Sequence, residues 1–379
     1  MRRIPVWALK PGMIVDRPVY DINGGLLINR GRVLKKEYIH RLKRMDISFL
    51  YIRDSFIPDV DIEDVILDET RNRAISVARS VLEEAFREQP SKNSLNLIME
   101  KSNFGDVVDD IIDQLLGAND LMVNMADIRS TDNYTFAHSV NVAVLALTTA
   151  ISLGGYGRSK LRHIGSGSLL HDLGKIKIPL EILNKEGPLE EEEFEIVQEH
   201  PLSGYEIVSQ KDILEDAARD IILQHHERND GNGYPKQMIE EEINPLAKMV
   251  AISDVYDALT SDRPYREGFL PHEAMDLMEI KGDEFDIDML RALFHHVAAY
   301  PVGTFVELSS GELGVVVKNK AGYPRHPRVR IFFVGEDKER VQPYEVNLRG
   351  KVDQTVVRAL KEDEVNKIPG AQAMISGER

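Results

Sequence analysis

The stretch SLLHDLGKIKIP, residues 168–179, decides the fold together with HHERNDGNGYP, residues 225–235. Each stretch places a polar pair, His171-Asp172 or His225-His226, where a run of helix-like apolar spacing stops. Glycines follow within a few residues, and glycine marks helix ends and turns. The two stretches therefore predict a helical domain that carries imidazoles and a carboxylate at the ends of its helices.

The regions on either side of these stretches predict three kinds of structure. From about residue 128 to 299, apolar residues recur at three- and four-residue spacing, as in packed helices. Residues 1 to about 55 alternate short β-like runs with turns, and residues 300–350 return to β character. We expect a multi-domain α+β protein with an all-α core domain, a small β-rich N-terminal module and a small C-terminal β segment. The predicted boundaries are 1–60 for the N-terminal module, 61–127 for a helical connector, 128–300 for the core domain, and 301–379 for the β segment with a polar tail.

Composition excludes several classes of protein. A chain of 379 residues is long enough for two or three domains. The net charge of −16 argues against general binding to DNA, RNA or a membrane surface. The absence of cysteine excludes disulfides, thiolate metal sites and cysteine nucleophiles, and is consistent with a reducing cytoplasm. We find no signal-peptide core and no apolar run long enough to span a bilayer, so we expect a soluble, cytoplasmic protein.

The polar residues of the helical region suggest a metal centre. Imidazoles and carboxylates are suitable ligands for Mn, Fe, Zn, Ni or Co. Neighbouring residues on a helix point about 100° apart, so a pair can serve two adjacent ions, and an aspartate can bridge the two. Seven ligands are too many for one ordinary ion but suit a two-metal centre, which favours phosphoryl displacement by a hydroxide. Five of the eleven histidines and two aspartates are the candidates: His138, His171, Asp172, His200, His225, His226 and Asp254.

Each candidate alone also has an ordinary structural explanation. His138 could pack inside a helical core, His200 precedes a proline and could be a loop residue, and Asp254 could cap a turn. The pair His295-His296 repeats the same dipeptide without acidic or glycine-rich neighbours, and we interpret it as structural. The combination of the seven residues, rather than any one of them, carries the prediction.

Groups suited to phosphate and to a base surround these candidates. Lys175 follows Asp172 by three residues in a glycine-containing turn, and Arg263 and Arg266 offer planar guanidinium groups for phosphate oxygens. The alternative for the two arginines is pairing with acidic neighbours on the surface. Tyr234, in the tight loop GNGYP, could be exposed and stack on a base, or could pack the loop onto the helices.

Taken together, His138, HDLGK at 171–175, His200, HHERNDGNGYP and SDVYDALTSDRPYR resemble the HD-GYP branch of the HD-domain metal phosphohydrolases. The resemblance spans roughly residues 128–300 and follows the order H…HD…H…HH…GYP…D. It is specific, because plain HD hydrolases lack the HH pair followed by GYP. It implies an all-helical domain that binds two or three metal ions, often iron, and that hydrolyses cyclic di-GMP to pGpG, GMP or both.

The resemblance also implies roles for individual residues. The seven candidates would be the metal ligands, with Asp172 as the bridge, and Asp172 and Lys175 would be catalytic. Members of the trinuclear type place a glutamate four residues before the first ligand histidine, and here that position is Tyr134. Because a tyrosine is a poor substitute for a carboxylate ligand, we expect two divalent ions, Fe or Mn, rather than three. The substrate-binding residues would be Lys175, Gly233, Tyr234, Pro235, Arg263 and Arg266.

The expected reaction is attack of a metal-bridging hydroxide on the phosphodiester phosphorus, in line with the leaving 3′-oxygen. Lys175 and the two arginines would stabilise the developing charge. Two alternatives remain open: an effector that binds a cyclic dinucleotide with little turnover, and a hydrolase of another cyclic dinucleotide or of a nucleotide monophosphate. The N-terminal module could sense a signal, support a homodimer or form a passive cap.

Overall fold

The chain divides into two compact units. The structure is a computed structural model that describes residues 2–20, 25–45, 47, 49–53, 56–60, 64–85, 92–118, 122–123, 134–185, 187–261, 268–335 and 337–368. We call the first of the two compact units the β unit; it is formed by Met1–Asp64, Met122–Tyr134 and Val297–Arg379. We call the second the helical unit; it is formed by Val65–Leu121 and Thr135–His296. The predicted fold class, a helical core with β-rich N-terminal and C-terminal parts, is confirmed. The four predicted boundaries stay predictions.

In its described residues, the N-terminal part of the β unit contains two short antiparallel strand pairs, one α-helix and one 3₁₀ turn at Val6–Ala8. Strand β1 (Arg2–Pro5) pairs with β4 (Phe49–Ile52), β2 (Val19–Tyr20) pairs with β3 (Leu26–Ile28), and α1 is Lys36–Arg44. Apolar residues from these elements share one core. This shared core stabilises the two strand pairs, because an isolated two-stranded pair is only marginally stable in water. Its most buried members include Ile4, Val15, Val19, Leu34, Leu42 and Leu50.

The C-terminal part of the β unit is a five-stranded antiparallel sheet. The strands are β5 (Phe305–Leu308), β6 (Leu313–Lys318), β7 (Arg328–Val334), β8 (Glu339–Asn347) and β9 (Val356–Ala359), in the order β8-β7-β6-β5-β9, followed by the short helix α14 (Glu362–Val365). Phe56, from the segment after β4, completes the core of this sheet, because its ring lies edge-on to Phe305 and Phe332 at 4.9 Å each. Arg330 donates to both oxygens of Asp59 at 2.6 and 2.8 Å, which holds the same segment.

The helical unit contains the remaining helices. Several of them begin with a capping interaction. At the helix that starts with Pro245, the Asn244 side chain accepts from Leu246 N. At the helix that starts with Glu191, Glu190 N donates to the Glu193 side chain. The helices are α2 (Asp68–Ala85), α3 (Lys92–Lys101), α4 (Phe104–Gly117), α5 (Tyr134–Leu153), α6 (Arg158–Leu170), α7 (Leu180–Leu183), α8 (Glu191–Gln198), α9 (His200–Lys211), α10 (Asp216–Gln224), α11 (Pro245–Thr260), α12 (Pro271–Ile280) and α13 (Ile287–His296).

Helices α5 and α6 organise the packing that positions the polar residues. In the described part of the chain, one helical stretch, Phe136–Leu153 of α5, is long and apolar enough to cross a membrane, but 78% of it is buried, as in the core helix of a folded domain. In α6, glycines let neighbouring helices approach closely: a Cβ at residue 165 would lie 2.8 Å from Val108 of α4, and one at residue 167 would lie 2.8 Å from Ile221 of α10. The C-terminal ends of α6 and α10 carry the two polar pairs.

Candidate metal centre

The seven side chains predicted as ligands lie together in the helical unit. His138 lies one turn into α5, and Asp254 lies in α11. The other five are at helix ends, where the backbone turns and side chains of consecutive residues can face one site. His171 and Asp172 follow α6, His200 begins α9, and His225 and His226 follow α10.

The seven residues form two groups, in each of which the candidate ligand atoms lie within 4.8 Å of one another. Six of the residues are buried, and the side chain of the seventh, His226, is 16% exposed. The first group is Asp172, His200, His225 and His226, and the second group is His138, His171 and Asp254.

The carboxylate of Asp172 lies between the two groups. Its Oδ1 atom is 3.4 Å from His200 Nε2, in the first group. Its Oδ2 atom is 3.4 Å from His171 Nε2 and 4.0 Å from His138 Nε2, in the second group. One oxygen therefore faces each group, which is the arrangement that a bridging carboxylate needs.

Asp254 also faces residues of both groups. Its Oδ1 atom is 3.1 Å from His138 Nε2, and its Oδ2 atom is 3.7 Å from His226 Nδ1. Burial alone would raise the pKa of Asp254, but the hydrogen bond to His138 and the nearby His226 hold this pKa well below its usual range. The carboxylate is therefore ionised at neutral pH.

Three of the imidazoles are held in one orientation by their own helices. In each, Nδ1 lies within hydrogen-bond distance of the backbone carbonyl three residues earlier. A carbonyl oxygen can only accept, so Nδ1 carries the proton and donates, and Nε2 of the neutral ring keeps its lone pair for the site. The pairs are His171 with Ser168 at 2.7 Å, His200 with Val197 at 2.7 Å, and His225 with Ile222 at 2.8 Å.

His138 is held differently, by the carboxylate of Asp257. His138 Nδ1 lies 2.6 Å from Asp257 Oδ2, and Asp257 is fully buried. Burial alone would lower the pKa of His138, but its hydrogen bonds to Asp254 and Asp257 raise this pKa well above its usual value. Asp257 is not among the residues predicted from the sequence, although its spacing of three residues from Asp254 on α11 places the two carboxylates on neighbouring positions of one helix face.

The protonation states of His225, His226 and Asp172 also suit metal binding. Burial lowers the pKa of His225 and of His226 well below the usual range, and neighbouring imidazoles lower it further. Burial would raise the pKa of Asp172, but the nearby His171 and Lys175 hold it well below its usual value. Neutral imidazoles and ionised carboxylates are the forms that bind metal ions.

Two buried atoms of the site support the same interpretation. His171 Nε2 and Asp172 Oδ1 are buried and make no hydrogen bond within the part of the chain that the structure describes. Leaving a buried polar atom unpaired costs about 1–3 kcal/mol, and a divalent cation in each group would satisfy one of these two atoms. The donors are nitrogen and oxygen atoms alone, which suits Mn, Fe or Zn. The residues therefore fit the implied metal ions.

Lys175 lies against the carboxylate that faces both groups. Its Nζ atom donates to Asp172 Oδ2 at 2.7 Å, and its side chain is 30% exposed. We expected this lysine to hold phosphate, and the structure adds a contact that the sequence did not indicate. The ammonium group orients Asp172 at the edge of the site.

Tyr234 of the GYP loop, for which the sequence left both exposure and packing open, packs against a candidate ligand. Tyr234 is half-buried, and its ring stacks on His226 with the centroids 4.5 Å apart and 26° between the planes. Tyr234 N donates to the carbonyl of His226 at 3.1 Å, which brings the two rings together. Burial raises the pKa of the phenol, so the hydroxyl is neutral. One face of the ring is therefore occupied by a candidate ligand.

The rest of this loop folds back onto the residues that follow the histidine pair. Glu227 is buried and accepts from Lys236 N at 2.7 Å and from Met238 N at 2.9 Å. A Cβ at Gly233 would lie 2.3 Å from Arg228 N, so only glycine fits there, and Pro235 is half-buried. Glu227 is not among the residues predicted from the sequence, although its position directly after two candidate ligands was a usable signal.

Three positions predicted from the sequence fall, wholly or in the side chain alone, in parts of the chain that the structure does not describe. Arg263 and Arg266 lie outside the described residues, as does the side chain of Tyr134. His295 and His296 end α13 with their rings 4.7 Å apart, and they belong to neither group of candidate ligands in the described chain.

The chain matches two domain families and is similar to a known protein over nearly its whole length. Residues 124–289 match the HD domain family, and residues 305–368 match a KOW domain associated with HD domain. The chain is 33% identical over 382 residues to cyclic di-GMP phosphodiesterase PA4108 of Pseudomonas aeruginosa, covering 94% of this chain and 90% of that protein.

Two further proteins are similar over smaller parts or with lower identity. The chain is 34% identical to 3'3'-cGAMP-specific phosphodiesterase 2 of Vibrio cholerae, over 47% of this chain and 35% of that protein. A solved structure, Bd1817, a HDG"Y"P protein from Bdellovibrio bacteriovorus, matches with a TM-score of 0.47 and 23% identity, over 77% of this chain and 97% of that chain. From the similarity to PA4108 along nearly the whole length and the HD-domain match, the chain belongs to the HD-GYP family of HD-domain proteins.

Proposed function

We propose that this protein is a metal-dependent phosphodiesterase that hydrolyses cyclic di-GMP to pGpG, GMP or both. The observation that carries the proposal is the pair of ligand groups with one oxygen of Asp172 facing each. A centre of two adjacent cations suits in-line displacement at a phosphodiester. The choice of substrate is supported by the relative PA4108, which is named a cyclic di-GMP phosphodiesterase.

The seven residues of the two groups would hold two divalent cations, which we propose to be Fe or Mn. Bound there, the cations would supply a hydroxide nucleophile and neutralise charge on the phosphodiester. Asp172 would contribute one oxygen to each cation, and Lys175 would fix that carboxylate through its 2.7 Å contact. Four of the five imidazoles are already oriented by hydrogen bonds, so they need little rearrangement on binding.

The substrate would be held at the edge of this centre. Lys175, 30% exposed, lies where it can offer positive charge to a phosphate oxygen. Tyr234 would contribute its outer ring face to a guanine base, since its inner face lies on His226. Gly233 and Pro235 would shape the loop that carries this ring, and Arg263 and Arg266 would bind phosphate through paired N–H groups.

The remaining proposals concern the setting of the enzyme. With 63 acidic against 47 basic residues, attraction of an anionic substrate depends on the local positive charge of the metal centre. We propose that the protein acts in the cytoplasm on a small cyclic dinucleotide rather than on DNA or RNA. The homodimer suggested for the N-terminal module stays a prediction.

The decisive experiment combines metal analysis with product analysis. Protein purified without oxygen is expected to contain two ions per chain and to convert cyclic di-GMP to pGpG or GMP, as resolved by chromatography. In the Asp172→Ala variant, both metal content and turnover should fall to background, because the carboxylate that faces both groups is gone. Single-turnover conditions with Mn or Fe separate slow hydrolysis from binding without hydrolysis.

His295→Ala is the matched control, because it alters a histidine pair outside both groups and should change neither the metal content nor the turnover of cyclic di-GMP. Retention of metal and activity in Asp172→Ala would show that the bridging assignment is wrong. Binding of cyclic di-GMP by the metal-loaded wild type without any product would instead support the effector alternative.

A second substrate has its own support. The 34% identical relative from Vibrio cholerae is named a 3'3'-cGAMP-specific phosphodiesterase. We therefore propose competition between cyclic di-GMP and 3'3'-cGAMP as the test of specificity. A higher kcat/KM for cyclic di-GMP would support the first substrate, and the reverse order would assign the second.

A further inference from the structure

A line of buried and partly buried polar contacts runs from helix α2 to the second group of ligands. Arg71, on α2, donates to Asn141 Oδ1 at 2.8 Å. Asn141, on α5, donates through Nδ2 to Asp257 Oδ1 at 2.9 Å. The other oxygen of Asp257 lies 2.6 Å from His138 Nδ1. These contacts therefore connect four residues on three helices in a line that ends at the candidate ligand His138.

His138 needs this support more than the other oriented imidazoles do. The rings of His171, His200 and His225 donate to carbonyls of their own preceding turns, which their helices hold in place. His138 lies inside α5 and bonds instead to a carboxylate on a different helix, α11. Its orientation consequently depends on what fixes Asp257.

Asp257 is fixed from several directions. It is completely buried, and beyond His138 it accepts from Asn141 and from Ser261 Oγ at 3.1 Å. A buried carboxylate is stable only when charge and hydrogen bonds compensate it, and each of these donors contributes. The Asn141 amide can keep its NH₂ group towards Asp257 because Arg71 donates to its oxygen on the other side.

Helix α2 is itself tied to the helical unit. Gln114 of α4 donates to Thr70 at 2.7 Å and accepts from Leu67 N at 2.7 Å, and Arg73 pairs with Asp110 at 2.8 Å. Helix α2 also packs against the turn Leu173–Lys177 that follows Asp172. The helix that the sequence suggested as part of a connector is therefore part of the scaffold of the metal centre.

We propose that Asp257 is the positioning residue for His138, and that Asn141 and Arg71 of α2 hold Asp257 in place, so that this line of contacts sets the affinity of the second group for its cation. The inference rests on the proposed function only in assuming that the second group binds a cation. A carboxylate behind a ligand imidazole fixes its tautomer and raises its basicity, and loss of such a partner weakens metal binding about 10–100-fold.

The test measures cation affinity directly. Zn²⁺ is titrated into the full-length apo protein against a competing chelator, and the wild type should show two binding events. The Asp257→Asn variant keeps the side-chain shape but loses the charge, and one of the two affinities should fall about 10–100-fold while the other is unchanged. Arg71→Met should weaken the same event by a smaller factor.

A double-variant comparison distinguishes positioning from general destabilisation. If Asp257 acts through His138, the Asp257→Asn change should have no further effect on Zn²⁺ affinity in the His138→Ala background. Asp220→Asn is the matched control, since Asp220 also accepts from an asparagine amide, at 3.0 Å from Asn244, and makes no hydrogen bond or ion pair with a candidate ligand among the described residues. Thermal unfolding of each variant records its stability separately.

The outcomes separate this inference from the proposed function. Two unaltered affinities in Asp257→Asn, or an equal loss with and without His138, would overturn the positioning role while leaving the phosphodiesterase proposal intact. Two binding events without turnover of any cyclic dinucleotide would refute the proposed function, yet the affinity comparison would still decide the role of Asp257.

Discussion

The core of the helical unit contains buried polar residues, and their stability depends on whether each finds a hydrogen-bond partner. Around the candidate metal centre, buried carboxylates and imidazoles compensate one another through short contacts, as between His138 and Asp257. Tyr256, directly beside Asp257 in the sequence, is a contrast. It is fully buried, and its hydroxyl has no hydrogen-bond partner among the described residues.

We expect Tyr256→Phe to leave the protein as stable as the wild type or to stabilise it by up to about 1–3 kcal/mol, because the change removes a buried hydroxyl that is not paired. The edge-on contact of the ring with Phe294 is kept. Thermal or urea unfolding of the two proteins measures the difference. Destabilisation by more than about 1 kcal/mol would show that the hydroxyl has a partner in solution.

At the scale of elements, the geometry of the centre depends on a close crossing between the turn Leu173–Lys177 and helix α9. A Cβ at Gly174 would lie 1.8 Å from the carbonyl oxygen of His200 and 2.5 Å from Gly204 N. Glycine at this position therefore allows the turn that directly follows Asp172 to lie on the start of α9, where His200 is found.

We expect Gly174→Ala to lower the stability of the protein by about 1–3 kcal/mol and to reduce metal content, because the added methyl group must push α9 away from the turn. Metal analysis and thermal unfolding of the purified variant check both effects. Gly105→Ala is the control: a Cβ at that helical position meets no atom within 4 Å, so the change should be neutral or slightly stabilising. A Gly174→Ala variant that binds two ions with unchanged stability would contradict the close crossing.

At the scale of the whole molecule, each unit is assembled from segments that are far apart in the sequence. In the β unit, Phe56 fills the core of a sheet that begins at residue 305, and Asp59 pairs with Arg330. This pairing lowers the pKa of Asp59 to about 2, through the hydrogen bond from the Arg330 guanidinium.

The stability of the full chain should carry a small pH-dependent contribution from this pair. Because the folded pKa is below the ordinary value of 3.8, the contribution is complete above about pH 4 and is lost as the pH falls through about 2. Asp59 is 61% exposed, so we expect no more than about 1 kcal/mol, decreasing with added salt. The difference in unfolding free energy between wild type and Asp59→Asn, measured from about pH 6 to about pH 2, tests this.

Asp353→Asn provides the comparison for that experiment, since no ion pair of its side chain occurs among the described residues. A gap between wild type and Asp59→Asn that stays constant down to about pH 2 would mean that the pair does not form in solution.

The sequence was most informative where chemistry and local structure coincide. Helical spacing predicted the core domain, and the polar pairs at helix ends, such as His171-Asp172, indicated where candidate ligands are found. It was less informative for partners that act across helices. Asp257 could have been noticed from its spacing to Asp254, but nothing local indicates that Asn141 and Arg71 meet it, because those contacts arise from packing of α2, α5 and α11.

The sequence by itself determined the helical class of the core, the β-rich ends, the family and the seven candidate ligands, because periodicity and residue chemistry are local properties of a chain. The tertiary structure decided how these residues are divided into two groups, which oxygen of Asp172 faces each group, that Tyr234 stacks on His226, and that α2 belongs to the scaffold of the site. Such features depend on distances between residues far apart in the chain, which only packing of the helices against one another can set.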